Sequence, residues 1–338
     1  MRLATYHDGS IDGRLVVVAR DQARAVDAAA VAPNLITALR HWATVEASLR
    51  SLADRLEAGQ AAAVFDFEPA RCLAPLPRAA QWCDGSAFLN HGRLMDVAFN
   101  KAPIPDFDTI PVMYQGASDD FLGPTVDVPF VSEADGIDFE GEFGVIVDEV
   151  AMATPAAQAG RHIRLLVQIN DWSLRTLGAR EVRTGFGFLH AKPSTSFAPI
   201  AVTPDELGDA WHDGRVDMAL HVRLNEARIG AASGRDMAFS FPDLIAHAAR
   251  TRRLTAGTII GSGTVSNADR AAGSSCLAER RAIEIIEHGA PRTPFLSFGD
   301  RVTMQAQFAD GTPGPFGCVD QRVVRAAAAP VAADTAGG

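Results

Sequence analysis

Asp138-Phe139-Glu140-Gly141-Glu142-Phe143-Gly144-Val145-Ile146-Val147 is the stretch from which the fold of this chain is best read. Its apolar and β-branched run predicts a strand over residues 139–150. Glu140 and Glu142, at i and i+2, then share one face of it. Two like charges side by side destabilise a strand unless a cation lies between them. Phe139, Phe143, Val145 and Val147 are poor company for solvated carboxylates. A hard divalent cation with oxygen ligands resolves the conflict, and magnesium, calcium or manganese all suit such a site. The plainer reading is a strand edge bearing two solvated glutamates.

Two further carboxylates extend the pattern. Asp171 closes the apolar run Leu165-Leu-Val-Gln-Ile-Asn-Asp, where it suits either a metal or the cap of the following segment. Asp84, in WCDGSAFLNH (82–91), reads by itself as a turn residue. An EF-hand reading of Glu133, Asp135, Gly136 and Glu142 fails, because its first ligand position would be Val131 and its flanks are strand-like.

Around this centre the chain is mostly β with some α. Residues 1–20 form a hairpin, and apolar residues recurring from Leu35 to about Ala63 predict a helix. The proline-rich Leu73–Arg78 crossing suggests a boundary, giving a small N-terminal α/β domain (1–72), a catalytic domain (73–325) and a disordered Ala/Pro/Gly-rich tail (326–338). Within the second part, strands are expected at 216–224, 258–261, 282–287 and 300–308. Helices are expected from Ala156 to about Leu166 and from Phe241 to Arg250, the latter capped by Ser240.

The 338 residues carry a net charge of −10 with no Lys/Arg block, which argues against nucleic acid and anionic membranes as partners. No stretch approaches the roughly 18 apolar residues of a membrane helix. The N-terminus lacks a secretory core, so a cytoplasmic location is expected. Cys72, Cys83, Cys276 and Cys318 show no CxxC spacing and read as buried, reduced thiols. No G-x-S-x-G, P-loop or H-E-x-x-H is present. Gly261-Ser-Gly-Thr264 lacks the third glycine of a dinucleotide fingerprint and suggests close backbone approach to a ligand.

Taken in order, WCDGSAFLNH, PVMYQG, DFEGEFGVIV, INDWSLR, HAKPSTSFAP, GSGTVSN and GSSCLAE resemble the fumarylacetoacetate hydrolase family over roughly residues 76–325. The resemblance implies a wound β-roll, dimeric, with its active site near the dimer contact. It implies Asp84, Glu140, Glu142 and Asp171 as ligands to a divalent metal, Mg²⁺ first, with Ca²⁺ and Mn²⁺ as alternatives. It further implies His91 as general base, Glu279 as the carboxylate orienting it, and Lys192 as the cation opposite developing negative charge. Tyr114 and Thr264 match substrate-contacting positions, and Arg175 is expected to bind substrate. The chain departs from the family pattern where Asn100 replaces an arginine and Gly178 a glutamine; Lys101, Arg175 and Arg183 are the cations available to compensate.

The activity implied is metal-dependent hydrolysis of a C–C bond in a small anionic 1,3-diketo acid, fumarylacetoacetate or an acylpyruvate, in the breakdown of aromatic compounds such as tyrosine. A hydratase, isomerase or decarboxylase of a small 2-keto acid on the same scaffold is the alternative. A metal-holding module without turnover is a third reading, disfavoured by the presence of His91, Glu279 and Lys192 together.

Overall fold

The computed structural model describes residues 1–100 and 102–327. Lys101 and all but the first two residues of the expected tail therefore lie outside the described residues.

An 11-stranded sheet forms the spine. Its centre is the Gly141–Val147 strand, paired antiparallel on one side to Ile163–Asn170 and on the other to Thr258–Gly261. Thr258–Gly261 runs parallel to Gln81–Gly85, which pairs antiparallel with Met113–Gly116 at the edge. A second sheet of five strands contains Ala219–Leu224, Arg301–Gln307 and Val319–Arg325.

Gly141–Val147 is buried along its whole length, because both of its faces are covered. Phe143, Val145 and Val147 pack in one core with Leu220, Val222, Val302 and Met304 of the second sheet. Ile146 points the other way, into a core with Leu165, Val167 and Ile259. This is why the strand reads as a continuous apolar run rather than an alternating one. Gln168, fully buried between the layers, donates to the Met304 carbonyl at 2.9 Å and accepts from Ala306 N at 2.7 Å, so neither end of its amide is orphaned.

The N-terminal segment extends the same sheet. Arg2–Tyr6 pairs with Ala201–Val202 and with Arg14–Val18, completing the expected hairpin. The helical run expected over 35–63 is two helices, Leu35–Arg40 and Trp42–Glu57, which break at His41 and stop short of Ala63. Their Leu35, Leu39, Trp42, Leu49 and Leu56 cover the sheet face bearing Leu165, Val167 and Ile259. At about 25 cal/mol per Å² of apolar surface removed from water, such a cover is a main stabiliser of the sheet.

Further elements differ from expectation, among them the 216–224 strand, which is split into Arg215–Val216 and Ala219–Leu224. Residues 282–287, expected as a strand, lie within the Leu277–His288 helix. The β-branched run Ile283, Ile285, Ile286 favours a strand locally, but Cys276 caps the helix N-terminus, Gly289 ends it in the left-handed region (φ +80°), and the helix packs on Leu89–Phe99. The helix expected from Ala156 to Leu166 ends at Ala159 and tightens through Gly160–His162; Ile163 already opens the strand beside Gly141–Val147. Ser240 and Asp243 form the capping box of the Phe241–Ala248 helix as the sequence suggests. No helix among the described residues is long and apolar enough to cross a membrane.

Candidate active site

Strand direction gathers the site. Because Gly141–Val147 is antiparallel to both neighbours, its start lies beside the ends of Ile163–Asn170, Thr258–Gly261 and Gln81–Gly85, and beside the start of Met113–Gly116. That edge carries Glu140 and Glu142, Asp171, Thr264, Asp84 and Tyr114. Asp84 sits in direct register with both Gly261 and Tyr114. Side chains distant in sequence thus converge on one pocket of about 160 Å³, lined by Asp84, His91, Tyr114, Glu140, Arg175 and Lys192 among others. No described residue of the N-terminal segment lines it.

Asp84, Glu142 and Asp171 bring ligand atoms within 4.8 Å of one another. Asp84 is 5% exposed, and the other two are fully buried. Both carboxylate oxygens of Glu142 lack any hydrogen-bond donor. Asp84 and Asp171 are the charges that bear on it most strongly. Burial, then the charge of Asp171, push the Asp84 carboxyl up to about 8. Burial, then Asp84 and Asp171, push Glu142 well above the usual range. A buried, donorless carboxylate costs several kcal/mol, and a cation among these oxygens would remove that cost. The donor set is hard, anionic and all-oxygen, which fits a divalent ion of the magnesium, calcium or manganese kind.

Glu140 is arranged differently. Its two oxygens are held by Arg175 Nη2 at 2.7 Å and Lys192 Nζ at 2.5 Å. Burial opposes ionisation, but Arg175 and Lys192 outweigh it and hold the carboxyl below the ordinary range. Lys192 also donates to Asp171 at 2.6 Å, and these two anions, against the effect of burial, raise its pKa. Lys192 therefore bridges Glu140 to the carboxylate trio rather than being a solvated loop lysine. Asp171 is not a helix cap. Its oxygens accept from Thr195 Oγ1 at 2.8 Å, Tyr114 OH at 2.5 Å and Lys192, while Leu174 occupies the cap position of the Arg175–Thr184 helix.

His91, in the first turn of the Leu89–Phe99 helix, places Nδ1 2.9 Å from Glu279 Oε2. The Glu279 side chain is 1% exposed, so it is no surface partner of Arg280 and Arg281. With Nδ1–H donated to Glu279, His91 Nε2 is the basic nitrogen.

Two glycines of the 261–264 turn let it pack against the end of the Gln81–Gly85 strand, where a Cβ on Gly263 would lie 2.1 Å from the Gly85 carbonyl. A Cβ on Gly261 would lie 2.3 Å from Asp84 Oδ1, and Gly263, at φ +76°, donates its N–H to the same oxygen at 2.9 Å. Thr264 follows, nearly buried, in the pocket lining. Asn100 ends its helix in the left-handed region (φ +47°), and neither it, Gly178 nor Arg183 lines the pocket; Arg175 does.

Sequence reasoning passed over Asp138. Fully buried, its Oδ1 accepts from Phe139 N and Leu277 N, and its Oδ2 from Ala278 N and Arg175 Nε, all at 2.8 Å. It ties the helix bearing Glu279 to the arginine that holds Glu140. The acidic spacing at 138, 140 and 142 was the available signal. Phe188 and Glu181 were also missed. Phe188 meets Tyr114 edge-on at 5.2 Å. Glu181 accepts from the backbone N–H groups of Leu189, His190 and Ala191.

Residues 80–324 match the family model of the fumarylacetoacetate (FAA) hydrolase C-terminal region, and residues 1–78 that of fumarylacetoacetase N-terminal domain 2. A 2,4-didehydro-3-deoxy-L-rhamnonate hydrolase of Sphingomonas sp. (strain SKA58) is 27% identical over 168 residues, 49% of this chain and 55% of that protein. The human mitochondrial oxaloacetate tautomerase FAHD2A is 24% identical over 66% of this chain and 65% of its own length. The chain thus spans between about half and two thirds of these curated relatives. Among solved structures, maleylpyruvate hydrolase from Sphingobium sp. SYK-6, in complex with manganese(II) and pyruvate, superposes with a TM-score of 0.63 at 17% identity, covering 97% of this chain and 100% of that one. With its fold and with more than half its length matched, this chain belongs to the fumarylacetoacetate hydrolase family.

Proposed function

We propose that the protein is a divalent-metal-dependent hydrolase that cleaves the C–C bond of a small 1,3-diketo acid. The observation that carries this reading is a half-buried His91, paired with the buried Glu279, in the same pocket as Asp84 of a carboxylate trio whose Glu142 has no donor. The manganese and pyruvate of the maleylpyruvate hydrolase structure support the same kind of site here. Asp84, Glu142 and Asp171 would hold the metal, with Glu140 alongside. Such an ion supplies Lewis acidity that polarises a carbonyl.

The chain's own residues do the rest. His91 Nε2 takes a proton from water as that water adds to the acyl carbonyl. Glu279 keeps Nδ1 protonated and stabilises the imidazolium, without itself becoming the acid. The C–C bond then breaks, its electron pair passes to the departing enolate, and Lys192 offers that oxygen a fixed positive charge. Arg175 binds the substrate carboxylate, and Tyr114 and Thr264 bound the space it occupies. The imidazolium of His91 then returns its proton to the enolate carbon, and the products are pyruvate or a related keto acid and a second carboxylic acid.

A tautomerase reading is favoured by the similarity to the oxaloacetate tautomerase, since the same histidine pair moves a proton between carbon and oxygen. Turnover of an acylpyruvate in ¹⁸O-water separates the two. Hydrolysis leaves ¹⁸O in the released carboxylic acid, whereas tautomerisation releases no acid at all.

A further inference from the structure

The pocket is small and unevenly charged. At about 160 Å³ it is on the scale of a cavity that takes one benzene, roughly 150 Å³. The cations lining it among the described residues are Arg175 and Lys192, and both are already engaged: Arg175 by Asp138 and Glu140, Lys192 by Glu140 and Asp171. Arg175 Nη1 and the third proton of Lys192 Nζ are left over from these pairs, enough for one substrate carboxylate.

The apolar side of the lining is Phe88, Phe188 and the ring of Tyr114. The chain beside Phe188 is tied to the preceding helix. Glu181, one helical turn before the loop begins, takes the backbone N–H groups of Leu189, His190 and Ala191 at 2.9–3.1 Å, and His190 Nδ1 lies at 3.0 Å from it. Gly185 and Gly187, at φ +76° and +94°, fold the loop back over the helix. The clamp fixes the backbone that follows Phe188, whose half-buried ring meets Tyr114 edge-on at 5.2 Å. A carboxylate at the far end of a substrate would face these rings with no further cation among the described lining residues, an unfavourable place for a charge.

We propose that the pocket selects short diketo monocarboxylates whose far acyl group is uncharged, and that Phe188 sets this preference. The proposal rests on the hydrolase reading above and narrows its substrate to neutral acylpyruvates rather than fumaryl- or maleyl-type dicarboxylates.

The test compares kcat/KM for acetylpyruvate and a slightly longer neutral acylpyruvate with that for dicarboxylate analogues of equal length. It uses the wild type, Phe188→Leu and Phe188→Arg. The wild type and Phe188→Leu favour the neutral substrates by about tenfold or more, the scale of discrimination that one pocket contact provides. Phe188→Arg narrows or reverses the ratio. Equal or better cleavage of dicarboxylates by the wild type overturns the proposal while leaving the hydrolase reading intact; so does an unchanged ratio in Phe188→Arg. If neither class is cleaved, the hydrolase reading has failed. Selectivity is then read from thermal-shift titrations with a keto monocarboxylate and the keto dicarboxylate of the same length, and tighter dicarboxylate binding overturns the proposal.

Discussion

Replacing Asp138 by asparagine changes one oxygen to an amino group, and the structure shows what that does. Four donors converge on the carboxylate, two on each oxygen. An asparagine in either orientation accepts only two of them and points its own N–H groups at the other two. Either the guanidinium of Arg175 with the Ala278 N–H, or the Leu277 and Phe139 N–H groups, is left facing a donor. Breaking an ion pair whose carboxylate is fully buried costs about 3–5 kcal/mol. At the low end of the usual conversion, about 2 °C per kcal/mol for a large chain, the melting temperature falls by roughly 6–10 °C. The same change loosens the helix start that carries Glu279 and the arginine that holds Glu140. Misplacement of catalytic groups by about 1 Å lowers kcat by roughly a hundredfold. Thermal melts and steady-state kinetics on Asp138→Asn and Asp138→Glu measure both effects. A variant with wild-type melting and wild-type kcat would show that the Asp138 hub neither stabilises the fold nor positions the site.

Three other outcomes follow from particular residues. His91→Ala loses about 10²–10⁴ in kcat while retaining the metal-dependent thermal shift, because the histidine moves protons and does not belong to the carboxylate trio. Glu142→Gln removes the donorless charge. The EDTA-treated variant melts higher than EDTA-treated wild type, and it loses most of the ~2.7 kcal/mol that a ligand at 100 times its Kd confers by mass action, as melts with and without Mn²⁺ would show. Burial opposes ionisation of Glu181, but the N–H groups of His190, Leu189 and Ala191 prevail and hold its carboxyl at about 2 against an ordinary 4.5. A lowered folded-state value stabilises above the ordinary range and is lost as pH falls from about 4.5 towards 2. Hydrogen exchange in residues 185–191 therefore loses protection in that acid window, and Glu181→Gln shows the loss already at neutral pH.

The central strand and the carboxylate pattern were legible because both depend on local spacing. An apolar run with two glutamates at i and i+2 states its own conflict, and the structure places Glu142 buried and donorless at that position. The ordered motifs then supplied what spacing could not, joining His91 to a glutamate 188 positions away. Where reasoning stayed local it erred. Ile283, Ile285 and Ile286 suggested a strand, but a helix cap at Cys276 and packing on the Leu89–Phe99 helix decided otherwise. Asp171 left cap and ligand open, because its donors come from two distant segments, Tyr114 on one and Lys192 and Thr195 on the other. For Asp138 the acidic spacing at 138, 140 and 142 could flag the residue but not its role, since its partners Leu277 and Ala278 lie 139 and 140 positions downstream. The N-terminal helices likewise read only as an apolar periodicity; that they cover the sheet, and leave the pocket to the rest of the chain, depends on strand pairing between Arg2–Tyr6 and Ala201–Val202.

The most direct test of the metal-dependent hydrolase is the loss of diketo-acid absorbance on acylpyruvates and fumarylacetoacetate, with Mg²⁺ or Mn²⁺ and with EDTA, for wild type and His91→Ala. The account predicts cleavage that needs the metal, stops with EDTA and nearly vanishes in His91→Ala. No cleavage of any diketo acid by the metal-loaded wild type, or cleavage undiminished in His91→Ala, would contradict it.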